Sequence, residues 1–368
     1  VADPVFRLKK FVAQGLFEKA SAVVPAKEIL PVLKNFQVEV SDSSLTVVAT
    51  DMELAVVCHT ELVSVDSPGV LILPAKKMLE IIRESADGDI EISVSEGAAT
   101  ISAGGARWLL RLQDDSEYPA VPDTSQVAWT QVPRASFLAA IQSVRGAAAR
   151  DMNRPSLMMI DVSKEKMTAC DGVRFQQTTV AGFPLSIQIP VGAVDDLVKL
   201  LRVTDVEQIE IGETEFHLVF RVGTDEFVAA KLMATFPDVE ELLLRPALMN
   251  TDTFSVVTQD LVDAVRRVRI NADEDSSAIV LELTAETCTV VSRDKFGNRA
   301  EEAISVVWEH EDRKIAVNHQ YLLDMLEMHK GTSCQFYLGE DTVTRKSPLM
   351  LRDSDTIGIV NQMRLDWA

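Results

Sequence analysis

The chain has 368 residues, of which 47% are apolar and 25% charged, the profile of a folded protein too long for a single hydrophobic core. No uninterrupted apolar run reaches the length of a membrane span, and Val1-Ala2-Asp3-Pro4 lacks a charged-then-apolar signal pattern, so a cytoplasmic protein with no membrane partner is expected. The formal net charge of -20 argues against a polyanionic partner only if that charge is spread evenly. Cys58, Cys170, Cys288 and Cys334 stand far apart in strand-like runs without a C-x-x-C pair, which favours buried reduced thiols over a disulfide framework.

In chain order, Leu8, Phe11, Val12 and Leu16 have helical spacing, which predicts a helix over 7–24 with Arg7, Lys10 and Lys19 on its other face. Short strands are predicted over 36–40, 45–50, 55–60 and 70–73, then a helix over 75–85, then strands over 90–94, 99–102 and 108–112. Asp66-Ser67-Pro68-Gly69, Asp87-Gly88 and Gly104-Gly105 punctuate them as turns, and 122–125 reads as a linker. The next helix opens at Pro133-Arg134, with Phe137, Leu138 and Ile141 on one face and Arg134 and Arg145 on another. Strands then lead to a helix over 191–202 and to paired strands over 209–211, 216–222 and 227–233. The last third repeats this from Gln259, with a helix over 319–329 and final strands ending near Val360.

Several markers recur in the same order. Val48-Ala49-Thr50-Asp51, Met167-Thr168-Ala169-Cys170-Asp171 and Val291-Ser292-Arg293-Asp294 each run from a β-rich stretch into an Asp and a turn, and the three Asp residues are 120 and 123 apart. Pro74, Pro190 and Asn318 each follow an apolar strand and open a helical pattern. Phe11-Val12, Phe137-Leu138 and Leu261-Val262 sit in matching first helices, and Tyr118-Pro119 and Phe236-Pro237 close the first two units. The pattern predicts three tandem copies of one α+β domain, over 1–125, 126–250 and 251–368.

Charge sorts with this pattern. The six helical stretches together carry about plus 7 and the remainder about minus 27. Helices packed on one side of each unit would gather a basic surface able to meet phosphates without reading bases. The competing reading is that Lys and Arg are simply good helix formers.

Taken together, Leu30-Pro31-Val32-Leu33, Ala49-Thr50-Asp51-Met52-Glu53-Leu54, Leu73-Pro74-Ala75-Lys76-Lys77, Ala169-Cys170-Asp171-Gly172-Val173-Arg174, Phe236-Pro237-Asp238 and Met363-Arg364-Leu365 resemble the bacterial DNA sliding clamp family, the β subunit of DNA polymerase III. The resemblance covers nearly the whole chain. It implies a ring-forming homodimer, two chains head to tail with helices lining a channel for duplex DNA. It also implies a non-catalytic processivity factor without cofactor or metal, whose partners are the catalytic subunit of DNA polymerase III, the clamp loader and other clamp-motif proteins.

The same resemblance places a pocket for partner peptides between the second and third domains. Its matching positions are Leu157, Cys170, Gly172, Val173, Arg174, Phe175, Pro237, Leu242, Asn318, Tyr321, Pro348, Ile359, Val360, Met363, Arg364 and Leu365. An apolar, Met-containing floor suits several ligands, with Arg174 and Asn318 for orientation; core packing is the plainer account of Leu157 and Ile359 singly. Lys27, Arg7, Lys10, Arg134, Arg145 and Arg150 are the DNA-binding candidates, and Trp108, Leu110 and Ile270 the dimer contacts. Cys170 and Val173 stand where the family commonly has Thr and His, and Asn361-Gln362 departs from its usual Met-Pro. Those departures, with the added Asp366-Trp367-Ala368, leave open a clamp paralogue with altered partners and a Trp367 that fills the pocket from within.

Catalytic readings have little to stand on. Glu309-His310-Glu311-Asp312 cannot turn every side chain to one ion, and no H-E-x-x-H or Cys-His spacing accompanies it. Gly104-Gly105 lacks the rest of a phosphate-binding loop. Pairs such as Glu240-Glu241 leave a repeated-domain hydrolase as the remaining alternative, and 56 acidic residues produce such pairs without function.

Overall fold

The structure, a computed structural model, describes residues 3–27, 30–113, 118–341 and 346–365, so the Asp366-Trp367-Ala368 tail and the idea built on Trp367 lie outside the described residues. Its element order repeats three times. The first series is β1 (Val5–Lys9), α1 (Lys10–Ala20), β2 (Asn35–Val40), β3 (Leu45–Thr50), β4 (Leu54–Thr60), β5 (Val63–Ser67) and β6 (Gly69–Pro74). Helix α2 (Ala75–Glu84) and strands β7 (Asp89–Ser95), β8 (Ala98–Ala103) and β9 (Ala106–Arg111) complete it.

The second series is β10 (Thr130–Pro133), α3 (Arg134–Val144), β11 (Met159–Ser163), β12 (Lys166–Cys170), β13 (Arg174–Thr179) and β14 (Ile187–Pro190). It ends with α4 (Val191–Val203), β15 (Gln208–Glu213), β16 (His217–Val222) and β17 (Asp225–Ala230), and a π-helical turn, Glu240–Leu244, then runs into α5 (Arg245–Ala247). The third is β18 (Asp252–Val257), α6 (Thr258–Val268), β19 (Ala278–Leu283), β20 (Thr287–Arg293), β21 (Arg299–Ser305), β22 (Val307–Trp308) and β23 (Arg313–Asn318). Helix α7 (His319–Met328), β24 (Ser333–Leu338), β25 (Leu349–Arg352) and β26 (Thr356–Val360) finish the chain.

The chain forms two compact units, Val1–Ala135 with Ala193–Lys231, and Ser136–Gly192 with Leu232–Ala368. The first unit holds a five-stranded sheet, β5-β1-β7-β8-β9, and an eight-stranded sheet, β10-β15-β16-β17-β4-β3-β2-β6. The second holds a nine-stranded sheet, β14-β11-β12-β13-β26-β25-β24-β18-β22, and a four-stranded sheet, β21-β20-β19-β23. All pairings are antiparallel, and each large sheet is shared between two successive series: β4 pairs with β17, and β13 with β26.

The helix predicted from Arg7 starts at Lys10. Arg7 and Leu8 lie on β1, whose alternating burial leaves Phe6 and Leu8 inside and Arg7 outside; a two-residue period in so short a strand passes for one helical turn. Phe11 is consequently exposed, while Ala13, Leu16 and Phe17 form the buried stripe. Strand β5 was not predicted either. Its alternation of half-buried and exposed residues is weak, as fits an edge strand. All four cysteines are free and buried, and no described helix is long and apolar enough to cross a membrane.

The first helix of each series ties down the end of the second. The N–H of Lys10 donates to the Gly88 carbonyl, that of Arg134 to Glu207 and that of Thr258 to Thr332. Side chains reinforce the tie. Lys10 Nζ reaches the Ser85 carbonyl just past α2, Arg134 donates to Leu201 and Val206 at 2.9 and 2.7 Å, and Thr258 Oγ1 to Gly331 at 2.9 Å. Cations at a helix C-terminus meet its unpaired carbonyls and the negative end of its dipole.

Candidate functional site

The recurring Asp is a turn maker. Asp171 Oδ1 accepts from the N–H groups of Val173 and Arg174 at 2.9 and 3.0 Å, closing the β12–β13 hairpin with Gly172 at φ +91°. Asp51 does the same for Glu53 and Leu54, and Asp294 for Phe296 and Asn298 in a loop one residue longer. A short carboxylate that accepts backbone N–H groups two and three residues on suits this turn, so the repeated signal in sequence reports hairpin geometry.

In the second repeat the turn also positions a cation. Arg174 Nε donates to Asp171 Oδ2 at 3.0 Å, its Nη1 bonds Asp324 on α7, and its guanidinium lies 4.0 Å from the Tyr321 ring centroid. Two carboxylates and an aromatic face therefore hold Arg174 in one orientation. Arg154 Nη1 donates to the Asp171 carbonyl at 2.8 Å and lies 2.7 Å from where a Cβ at residue 172 would sit, so a side chain there would displace the end of Arg154, and the positive φ favours glycine, although Met52 adopts φ +80° at the matching place in the first hairpin.

Beside it lies an apolar cluster. Cys170, Phe175 and Ile359 are buried together with Val239, Leu244, Ala247 and Met350, with Leu157, Phe236, Leu243, Tyr337 and Ile357 half-buried around them. Burial raises the Cys170 thiol to about 11, so it stays protonated at neutral pH. Val173 and Leu242 are exposed, at 44% and 64%. Pro237 is half-buried and its carbonyl accepts from Val239, while Pro348 is buried and its carbonyl accepts from Asn250 Nδ2.

The other predicted pocket residues have structural roles around this cluster and in the third repeat, with Val360 paired to Arg174 across β13 and β26. Val360 belongs to the core of the third repeat. Met363 and Leu365 pack on Val280, Val291 and Ala316, and Arg364 is exposed. Asn318, expected to orient a ligand, caps α7, its Oδ1 accepting from Gln320 and Tyr321 at 2.9 and 3.2 Å. Sequence reasoning missed Val239, Leu243, Leu244, Ala247 and Met350. Pro246 inside the run conceals its helical character, and the wide π turn leaves Leu242 outside with Leu244 inside.

Among the predicted DNA contacts, Lys10 and Arg134 are folded onto carbonyls at helix ends, and Arg7 stands exposed on β1. Lys27 and Arg150 are exposed, and Arg145 is half-buried in the turn that continues α3. Lys19, itself half-buried, forms an ion pair with the buried Asp225, whose side chain is 2% exposed. Trp108 and Leu110 are half-buried on β9, an edge strand, with Leu109 exposed on its opposite face, and Ile270 is 81% exposed. No group of three or more His, Cys, Asp or Glu able to hold a metal occurs among the described residues.

Residues 7–122 match the family model of the DNA polymerase III beta subunit N-terminal domain, and residues 249–359 that of its C-terminal domain. The Beta sliding clamp of Haemophilus influenzae is 26% identical over 325 residues, 85% of this chain and 87% of that protein. The one from Pseudomonas putida is 26% identical over 362 residues, covering 94% and 95%. Among solved structures, a C. crescentus beta sliding clamp has a TM-score of 0.89 at 20% identity, covering 99% of this chain and 100% of that one. A Bartonella birtlesii sliding clamp bound to griselimycin has a TM-score of 0.88 at 23% identity with the same coverage. Fold and repeated hairpins thus define a clamp protein of tandem α+β repeats. The chain belongs to the bacterial DNA sliding clamp family, the β subunits of DNA polymerase III, and its function is that of a processivity factor without catalysis.

Proposed function

We propose that three clamp domains, 1–125, 126–250 and 251–368, close head to tail with those of a second copy into a ring around duplex DNA in the cytoplasm. The ring tethers the polymerase III catalytic subunit, the clamp loader and other clamp-motif proteins. The observation that carries this is the repeated junction. At each one, the strand that follows an Asp hairpin pairs with the last strand of the next repeat, β4 with β17 and β13 with β26. Two strands in those roles remain as sheet edges: β21 after the third hairpin and β9 at the end of the first repeat. Unpaired edges invite pairing, and a chain that carries one of each kind can pair with another copy.

The existing junctions also give a register. Glu226 is opposite Val57. Arg107 occupies the place of Glu226, because β8–β9 and β16–β17 close alike at Ala103↔Ala106 and Val222↔Asp225. Glu301 occupies the place of Val57, counted from the residue whose carbonyl accepts the hairpin Asp N–H, Asn298 in one case and Leu54 in the other. Arg107 of one copy therefore faces Glu301 of the second, with Trp108 and Leu110 alongside and Ile270 exposed near the start of the third repeat.

The cluster around Cys170 and Phe175, with Arg174 held at its side, is our candidate for the partner-peptide site, and Lys27, Arg145 and Arg150 for contacts with phosphates. Sedimentation equilibrium tests the assembly. The expected species has twice the 40.5 kDa chain mass; a monomer at micromolar concentration would refute it.

A further inference from the structure

The chain that trails each repeat folds back on a sheet of that repeat, but the second does so differently. After β9, Tyr118 packs on Val48 and Ile72, and its hydroxyl donates to the carbonyls of Asn35 and Val48 at 3.2 Å. After β26, Met363 and Leu365 pack on Val291 and Ala316, and the Met363 N–H donates to the Ala316 carbonyl at 2.7 Å. In the second repeat the positions matching Val48 and Ile72 are Thr168 and Gln188, counted from Asp171 and Pro190. There the face is polar, and the segment's apolar seat lies further along the same face, at Cys170 and Phe175.

At the polar end of that face the segment is tied by a latch. Lys166 Nζ donates to Glu240 Oε1 at 2.7 Å and Gln177 Nε2 to the same oxygen at 3.2 Å, with the Lys166 and Glu240 side chains 38% and 43% exposed. Beyond the latch, Val239, Leu244 and Ala247 cover Cys170, Phe175, Met350 and Ile359, none more than 2% exposed. The cover is a poor helix: Glu240–Leu244 makes a π turn, and Pro246 removes a backbone donor. Its outer side exposes Leu242, Leu248 and Met249.

We propose that the segment 239–247 is a displaceable lid on the peptide site, latched by Glu240 to Lys166 and Gln177, and that a partner peptide takes the apolar floor by replacing it. This rests on the reading of that cluster as the peptide site. The free protein is mostly closed, and the closed population reduces apparent affinity by the fraction that is open. A half-exposed ion pair and its hydrogen bonds are modest in strength, which suits a latch that must release.

Cys170 under the lid gives a readout independent of any ligand. Maleimide labelling, mapped by peptide mass spectrometry, compares Cys170 with Cys288, which is buried elsewhere in the same unit. Lys166→Met and Glu240→Gln are each expected to speed labelling of Cys170 about two- to fivefold and to tighten griselimycin binding by a similar factor, with Cys288 unchanged. Unchanged Cys170 labelling, or Cys170 and Cys288 rising together, overturns the lid. Faster Cys170 labelling without griselimycin binding to any form overturns the peptide-site reading instead, and with it the lid's role as a gate. Griselimycin binding that is equally tight in wild type and variants refutes the gate while leaving the site.

Discussion

Arg107→Glu is expected to open the ring. In the proposed ring, with the register carried over from β17 and β4, the substitution would set two carboxylates opposite each other across the β9–β21 junction, Glu at 107 against Glu301. Like charges at such a position cost about 2 kcal/mol, and a closed dimer has two equivalent junctions, so the dimer dissociation constant rises roughly a thousandfold. Glu301→Arg alone does the same, and the double variant restores the dimer with the charges exchanged. Sedimentation velocity across a dilution series reads this directly. Rescue is the diagnostic result, since two unrelated surface substitutions would add their effects and not cancel them.

Lys19→Met is expected to cost the first unit about 3–5 kcal/mol, the penalty for leaving a buried carboxylate without its cation. Asp225 is 1% exposed; its Oδ2 takes Lys19 from α1, and its Oδ1 accepts the His59 N–H from β4 at 3.2 Å. The pair thus joins the first helix of one repeat to the hairpin of the next, through a residue at the start of β17. The added substitution Asp225→Asn, which removes the charge but keeps an acceptor, should recover much of the loss. Chemical denaturation measures both, and a loss below about 1 kcal/mol for Lys19→Met would mean that water reaches Asp225 when the cation leaves.

Much of this fold was readable because local chemistry and repetition agreed. Asp51, Asp171 and Asp294 recur because the same turn is built three times, and Pro74, Pro190 and Asn318 recur because each ends a strand and starts a helix. The site was half readable. Cys170, Phe175 and Arg174 adjoin a hairpin with a sequence signal, whereas residues 239–247 reach the same cluster through a π turn followed by a proline, for which periodicity offers no template. Charge was the least legible property. Lys10, Lys19 and Arg134 look like a basic helical face in sequence, but they neutralise helix ends and a buried Asp, and only tertiary packing decides which cations are spent inside the protein.

A closed ring threaded by duplex is a topological state, and DNA topology tests it. Purified protein loaded onto nicked circular plasmid by its clamp loader should stay with the circle through gel filtration at raised salt and leave when a single cut linearises the plasmid. Salt weakens phosphate contacts but not a closed ring, so retention and release should persist as ionic strength rises. Loss from circular DNA with increasing salt, at the same rate before and after cutting, would show a protein that merely adheres to DNA and would contradict the ring.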